Sequence, residues 1–440
     1  IYNLAAASNV TITQNDESVY KYQAFFGRAN LNWDDKYIIN LTGRRDGSSR
    51  FGPGKQFATF GAVGAAWLFT NEKVLKDNKI ISFGKLRASY GTTGNDQIGD
   101  YQFLDTYTTT GVAYDGVVGL EPSRLFNPAF GWETNKKFEI GLETGFLKDR
   151  IFITAGWYSN RSSNQLVGIP LPGTTGFTSV QANLDATVEN RGLELTLRTV
   201  NMQNKDFSWS TNFNISLSKN ELVSFPGLEA SSYRNQFVIG QSINIVKVFH
   251  FTGVDPATGI YQFEDVNGDG YISEPEDKQT VKDLNPKFFG GLQNQLKYQQ
   301  FQLDFLFQFV KQENYNANKT FNMPGTRSNQ LASTVNHWQN VGDVSPNQMY
   351  SATNFTADEA HYNYKESDAS ISDASYIRLK NIAFSYDIPE KWLNKMRCRI
   401  SITGQNLLTF TKFNDADPEF QMYDRLPPLK VITAGMQLSF

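Results

Sequence analysis

Three features are scarce in this chain of 440 residues, and each scarcity excludes a class of protein. No uninterrupted apolar run approaches the ~18 residues that a membrane-spanning helix needs, which excludes a helical membrane protein. The net charge is only -3, so no basic surface for nucleic acid is indicated. The single cysteine, Cys398, cannot form an internal disulfide and is interpreted as a small packed side chain.

Aromatic residues are abundant, at 14% of the chain with 34 Phe and 20 Tyr. This composition suits long strands that carry amphipathic rings at interfaces. Residues 207–218 alternate large apolar residues with Ser and Asn, which predicts a strand with one apolar face and one polar face. In a soluble sheet the polar face meets water, whereas in an outer-membrane barrel the apolar face meets lipid and the polar face lines the lumen.

The recurrence of this pattern favours the barrel. About thirteen strand-like runs are predicted, at residues 18–32, 36–45, 57–69, 82–91, 132–145, 150–161, 187–200, 207–218, 286–297, 300–309, 374–388, 397–407 and 430–440. Short turns alternate with long connections, the longest being residues 92–131, 162–186, 219–285, 311–373 and 408–429. Because bacterial barrels have short periplasmic turns and long extracellular loops, the sequence predicts an all-β, transmembrane antiparallel β-barrel in the outer membrane.

The sequences at the two ends of the chain lead to expectations about strand orientation and processing. The last strand ends on the aromatic Phe440, which resembles the terminal signal of barrel assembly. If that strand runs toward the periplasm, the first strand starts outside, and an odd count implies missing strands because complete barrels have an even number. We therefore expect the C-terminal part of a larger barrel. Residues 1–9 lack the features of a signal peptide, so the chain is interpreted as mature or cut.

Several segments resemble the SusC/RagA-type TonB-linked outer-membrane transporters of the Bacteroidetes. The matching segments are residues 86–95 (LRASYGTTGN), 127–141 (NPAFGWETNKKFEIG), 192–197 (GLELTL), 265–272 (DVNGDGYI), 374–389 (ASYIRLKNIAFSYDIP) and 399–408 (RISITGQNLL). They are spread over most of the chain in the family's order.

This resemblance implies a 22-strand barrel whose plug domain and TonB-contacting segment precede residue 1. It also implies active import of large nutrients, which are glycan oligosaccharides or peptides. A SusD-like surface lipoprotein would close the barrel, and TonB with ExbB and ExbD would supply energy. No covalent chemistry by this chain is implied, so it is not expected to be an enzyme.

One loop has the spacing of a calcium-binding loop, with oxygen ligands at positions 1, 3, 5, 7, 9 and 12 and a glycine at position 6. The ligands would be Asp265, Asn267, Asp269, the Tyr271 carbonyl, Ser273 and Glu276. Pro275 and the absence of flanking helices oppose this interpretation, and Asp277 is a substitute for Glu276. The alternative is an acidic turn in which Asp, Asn and Gly serve backbone geometry alone.

Aromatic residues in the long loops are candidates for stacking on a substrate, although aromatic residues more often pack. These candidates are Trp338, Tyr350, Tyr362 and Tyr364. His250, His337 and His361 have no spacing that suggests a metal site or a triad, and ordinary polar roles are expected.

Other functions stay open at this point. A TonB-dependent siderophore or vitamin receptor shares the barrel, and a passive porin would have little use for such long loops. A secreted β-rich adhesin or glycan-binding protein would need a second sheet to cover the apolar faces. A carbohydrate-active enzyme needs a convergent pair of carboxylates that the spacing does not reveal.

Overall fold

The computed structural model describes residues 17–392, 396–413, 416–420 and 425–439. Within these residues the fold is nearly all β. The strands are β1 Tyr22–Trp33, β2 Tyr37–Ser48, β3 Phe57–Trp67, β4 Ile81–Asn95, β5 Thr106–Tyr114, β6 Val117–Arg124, β7 Glu133–Phe146, β8 Ile151–Ser163, β9 Gln165–Pro170, β10 Ser179–Leu184, β11 Thr187–Gln203, β12 Phe207–Ser224, β13 Ile245–Val248, β14 Phe251–Val254, β15 Tyr261–Phe263, β16 Thr280–Asp283, β17 Phe288–Tyr298, β18 Phe301–Lys311, β19 Glu313–Tyr315, β20 Ile371–Asp373, β21 Tyr376–Ile388, β22 Arg397–Thr411 and β23 Val431–Ser439. One α-helix, α1 Phe355–Lys365, lies in a long loop.

Thirteen of these strands form one antiparallel sheet in the order β1-β2-β3-β4-β7-β8-β11-β12-β17-β18-β21-β22-β23. Each pairs with its neighbours along the chain, and each coincides with one of the thirteen predicted runs. The prediction of a transmembrane antiparallel β-barrel is confirmed. Phe440 and residues 1–9 lie outside the described residues. No helix among the described residues is long and apolar enough to cross a bilayer.

The register joins the apolar residues of successive strands into one continuous face. Leu197 on β11 lies opposite Phe213 on β12, and Phe213 lies opposite Leu292 on β17. The next residue along β12, Asn212, lies opposite Arg198 and Gln293. Because side chains alternate between the faces of a sheet, the apolar row faces outward to lipid and the polar row faces inward.

One polar side chain lies within the apolar face, and its oxygen accepts two hydrogen bonds. Asn294 points outward on β17 between Leu292 and Leu296, and it is only 7% exposed. Its side-chain oxygen accepts hydrogen bonds from Trp209 Nε1 at 2.9 Å and Thr211 Oγ1 at 2.7 Å. Because lipid offers no hydrogen bonds, this pairing removes the cost of an unsatisfied amide oxygen.

Short turns close one end of the sheet. Asp34 and Asp35 connect β1 to β2 with φ of 55° and 50°, a left-handed conformation that Asp tolerates. Trp33 and Tyr37 flank this turn with ring centroids 6.1 Å apart. Amphipathic rings at this level are typical of a membrane interface.

The long connections at the opposite end carry structure of their own. The pairs β5–β6, β9–β10, β13–β16, β14–β15 and β19–β20 each form a two-stranded sheet. Strands β13 and β14 are separated by Phe249 and His250. Between β3 and β4 a short 3-10 helix spans Phe69–Asn71.

Candidate functional site

The inner face of the sheet carries paired charges. On β4 and β7, Lys85 Nζ lies 3.3 Å from Glu143 Oε1, and Arg87 contacts Glu139 at 2.5 Å and Glu143 at 3.3 Å. These residues alternate with the outward-facing Leu86, so they line the lumen. A wall of this kind is wetted by water and can contact a polar cargo.

A buried arginine fixes the last long loop to this wall. Arg378 on β21 is 1% exposed and projects to the inner side. Its Nη2 lies 2.7 Å from both carboxylate oxygens of Asp417, and its Nη1 lies 2.5 Å from Glu419. Lys380 adds a contact of 3.0 Å to Glu419. The guanidinium is therefore neutralised by two carboxylates, which is the condition for burying a charge.

A second ionic cluster connects two other long loops. Glu366 follows α1 and lies 2.5 Å from Lys319 Nζ and 3.2 Å from Lys278 Nζ. Burial alone would raise the pKa of Glu366, but the two lysines outweigh burial and lower it. Loop 225–287 is thereby bound to loop 312–375.

A polar cavity of about 370 Å³ lies beside this cluster. Its walls include Lys247, Glu274, Lys278, Tyr315 and Glu366, together with apolar residues of β13. Groups of both charges and an aromatic ring surround the same space. Such a cavity can accept hydroxyl or amide groups from a ligand.

The aromatic candidates occupy different environments. Tyr364 is 9% exposed and stacks on Tyr261 at 4.1 Å, so one ring face is covered. Burial raises the pKa of Tyr364 to about 12. Trp338 donates from Nε1 to the Pro256 carbonyl at 3.0 Å. Both side chains contribute to packing within the loops.

Tyr350 and Tyr362 are more accessible. Tyr350 is 41% exposed, although its ring stacks on His337 at 3.6 Å. Tyr362 is 58% exposed on the surface of α1. The structure does not bring the four aromatic candidates together as one surface, and their contact with substrate stays a prediction.

The histidines have separate local contacts. His250 Nδ1 lies 2.8 Å from Asp368 Oδ2, and His361 Nε2 donates to the Phe321 carbonyl at 3.0 Å. His361 is 8% exposed, and burial lowers its pKa. No catalytic grouping is formed by these residues.

The predicted calcium loop is folded around its own carboxylates. Asp265 accepts backbone N–H groups of Gly268 at 2.7 Å and Gly270 at 2.8 Å. Asp269 accepts the N–H of Tyr271 at 2.8 Å. Gly270, at position 6, has a φ of 87°, the left-handed conformation that such a turn requires.

Asp277 rather than Glu276 is directed into this loop. Asp277 is 1% exposed and accepts N–H groups of Val266 and Ser273, both at 2.8 Å. Burial alone would raise the pKa of Asp277, but these backbone donors lower it. Glu276 reaches only Ser273 Oγ, at 3.5 Å.

Within the described ranges no three acidic, histidine or cysteine side chains converge as a metal cluster. The amide and carbonyl oxygens of the loop are the kind of ligand that calcium accepts, with Asp277 as the buried carboxylate. Calcium binding stays a prediction.

Sequence reasoning did not single out Arg378 or Glu366. Their partners lie 39 to 88 positions away along the chain, so no local spacing reports the pairing. The only signal was a charged residue within a predicted strand, Arg378 in the run 374–388.

A family model described as "TonB dependent receptor-like, beta-barrel" matches residues 2–407. The chain belongs to this family of TonB-dependent receptors. TonB-dependent receptor P3 of Formosa agariphila is 30% identical over 94% of the chain and 45% of the relative. TonB-dependent receptor SusC of Bacteroides thetaiotaomicron is 26% identical over 95% of the chain and 43% of the relative. This receptor therefore spans about half the length of the curated relatives it matches.

Solved structures agree with this assignment. The RagAB peptide importer in its closed-closed state superposes with a TM-score of 0.83 at 26% identity, covering 96% of this chain and 48% of that chain. Another RagAB structure gives 0.81 at 26% identity, covering 98% and 49%. The receptor is thus of the SusC/RagA type and belongs to the outer membrane. The proteins named here are called receptors or importers rather than enzymes.

Proposed function

We propose that this chain forms the C-terminal part of the barrel of an active outer-membrane importer. The observation that carries the proposal is the thirteen-strand sheet with its lipid-facing apolar row, which superposes on RagAB at a TM-score of 0.83. The cargo would be a large nutrient, either a glycan oligosaccharide or a peptide. Movement through the lumen requires no bond to be made or broken, so no enzymatic activity is part of the proposal.

Two partners belong to the proposal. A SusD-like surface lipoprotein would close the loop end of the barrel, because the long loops form an extended and structured surface there. TonB with ExbB and ExbD would supply energy through a segment that precedes this chain. The plug domain, the TonB-contacting segment and the remaining strands of a 22-strand barrel would also precede it.

The inner wall and the polar cavity support a polar cargo. The wall presents ion-paired Lys85, Arg87, Glu139 and Glu143, and the cavity presents Glu366 between two lysines. These groups can exchange hydrogen bonds with hydroxyl and amide groups alike. Tyr350 and Tyr362 are the more accessible aromatic candidates for stacking on a sugar or a peptide side chain.

The test compares nutrient uptake by the native host with uptake by a strain from which the gene is deleted. Deletion of the gene should abolish growth on one class of polymer, and deletion of tonB should have the same effect. Growth on glycans and on protein digests would be compared, and a purified complex would be titrated with both. Growth that is unchanged on every large nutrient but lost at low iron or low vitamin would favour a siderophore or vitamin receptor.

The alternative of a secreted adhesin has a simple test of its own. An adhesin would remain soluble after the detergent is removed, because its apolar faces would be covered by protein. The proposed importer should aggregate under that condition.

A further inference from the structure

Four neighbouring strands carry basic side chains on the outer face near the long loops. Lys136 lies on β7, Arg161 on β8, Arg191 on β11 and Lys219 on β12. Register places Lys136 opposite Arg161 and Arg191 opposite Lys219. These four residues are called the outer basic cluster.

The orientation of the cluster follows from strand parity. Phe138, Trp157, Leu193 and Leu217 share the outward parity, and Leu193 lies opposite both Trp157 and Leu217. Lys136, Arg191 and Lys219 each lie two residues from one of these apolar residues, on the side of the long loops. Two residues of a strand span about 7 Å. The cluster therefore lies one side-chain layer above the surface that contacts acyl chains.

The acidic side chains of this region are less exposed than the basic ones. The side chains of Glu189 and Glu221 are 6% and 21% exposed, whereas those of Arg161, Arg191 and Lys219 are 54%, 42% and 56% exposed. Four bases against two acids leave a net charge of +2. The surface that meets the surroundings is thus basic.

The contacts within the cluster leave donors unused. Arg161 contacts Glu189 through Nε at 3.1 Å, and its terminal nitrogens have no partner among the described residues. Arg191 contacts Glu221 through Nη2 at 3.0 Å, and Lys219 Nζ contacts the same carboxylate at 2.8 Å. The carboxylates hold the basic side chains in place while part of each cation stays accessible.

Directly below, Phe138 and Trp157 meet edge to face at 5.9 Å. Aromatic rings mark the boundary between hydrocarbon and headgroups. A basic cluster one layer above that boundary lies at the level of lipid headgroups, where Arg forms bidentate bonds with phosphate and each basic residue adds attraction to an anionic lipid.

We propose that the outer basic cluster binds the phosphate groups of an outer-leaflet glycolipid, with the acyl chains of that lipid lying against Phe138, Trp157 and Leu193. The occupant is a membrane lipid rather than a soluble anion, because the site has an apolar surface on one side and cations on the other. This site lies on the opposite face of the sheet from the lumen, so it is independent of the cargo.

The test uses the intact receptor, delipidated in mild detergent and titrated with diphosphorylated lipid A or its dephosphorylated form under native mass spectrometry. Wild type should bind the phosphorylated lipid at least about 10-fold more tightly. The triple variant Arg161→Gln/Arg191→Gln/Lys219→Gln should lose this preference. The matched variant Arg28→Gln/Arg198→Gln/Lys297→Gln removes the same charge from the inner face and should keep it.

A single variant keeps the proposal testable if the triple variant of the outer basic cluster fails to fold. Lys136→Gln breaks no ion pair among the described residues, and it should weaken the preference about 2-fold to 5-fold. Heat-dependent gel migration would verify that each barrel is folded. The proposal is overturned if folded variants keep the full preference, if wild type binds both lipids equally, or if 10 mM inorganic phosphate displaces the lipid completely.

Discussion

Arg378 is the largest of the fully buried side chains in the described residues. Its guanidinium is held by Asp417 and Glu419, which come from the last long loop. A charge can be buried only with such compensation, and removal of one member leaves the others unpaired. Arg378 therefore determines whether that loop remains attached to the inner face of the sheet.

We predict that Arg378→Gln releases this loop. Loss of one partner from a buried ion pair costs about 3 kcal/mol, which corresponds to on the order of 100-fold faster exchange of the amides in 416–420. Hydrogen–deuterium exchange of the intact receptor measures this change. Lys380→Gln is the matched control, because Lys380 is partly exposed and its loss should cost at most about 1 kcal/mol. Equal exchange in the two variants would contradict the anchoring role.

His361 makes the loop assembly sensitive to pH. Burial lowers the pKa of His361 from its ordinary value of 6.5, so the unfolded segment binds a proton more readily than the folded one. The stabilisation is fully present above pH 6.5 and is lost as the pH falls through the lower folded pKa.

We predict that the opening free energy of α1 falls by up to about 1 kcal/mol between pH 6.5 and 5.5. Amide exchange of α1, corrected for intrinsic rates, measures it. In His361→Gln this decrease should disappear even if the variant is less stable at every pH. A decrease of the same size in that variant would assign the effect to another group.

At the scale of elements, the barrel strands were predictable because the requirement on them is local. A strand between lipid and water tends to alternate, and several of the thirteen runs do so cleanly. The residues at which these strands end were less predictable. β12 continues to Ser224 rather than 218, because above the membrane the apolar residues give way to Lys219 and Glu221. β22 continues past 407 because Asn406, with a φ of 53°, interrupts the alternation without ending the strand.

The loops were poorly predicted because no local requirement acts on their sequence. Helix α1 and the hairpins β5–β6 and β9–β10 lie at a surface that faces neither lipid nor a single core, so no period marks them. Their structure depends on contacts that are distant in sequence, such as Glu366 with Lys278 and Lys319. The calcium-like motif was recognisable from its spacing, and Pro275 already marked Asp277 as a substitute for Glu276. The structure was needed to choose Asp277 as the inward carboxylate.

The calcium-like loop at 265–277 leads to a prediction about thermal stability. If it binds calcium, the ion should raise the melting temperature of wild type more than that of Asp265→Ala. Differential scanning fluorimetry with EDTA and with added CaCl₂ measures the shift, and MgCl₂ is the control ion. A second variant, Glu276→Gln, should keep most of the shift, since Asp277 is the buried carboxylate. Equal shifts of the melting temperature in wild type and Asp265→Ala would exclude calcium binding by this loop.

At the scale of the whole molecule, the sheet separates two solvents, and this can be tested on adjacent residues. Leu195 faces outward in the register row that contains Ile215, whereas Thr196 faces inward opposite Asn214. We predict that Leu195→Arg lowers the free energy of unfolding in vesicles by about 2–4 kcal/mol. Thr196→Arg is the matched control and should change it much less. Equal losses would contradict the assignment of the two faces.

Spin labels give an independent readout of the same assignment. Labels at Phe213 and Phe305 should be accessible to oxygen dissolved in lipid, because both residues lie in the outward row. A label at Asn212 should be accessible to a water-soluble relaxation agent instead. An aqueous signal from Phe213 would overturn the lipid-facing assignment.

The opposite orientation of neighbouring side chains restricts how such a protein can change over time. Deleting one residue at the start of β21 would invert the side chains that follow it in that strand, driving Arg378 toward the hydrocarbon and Ile377 toward the channel. Insertions and deletions are therefore tolerated between strands or where a bulge absorbs them, as at Lys380 in β21, and the long connections lie at the end opposite the short turns. Exchange of loops can thus change the surface at that end of the barrel while insertion into the membrane is left intact.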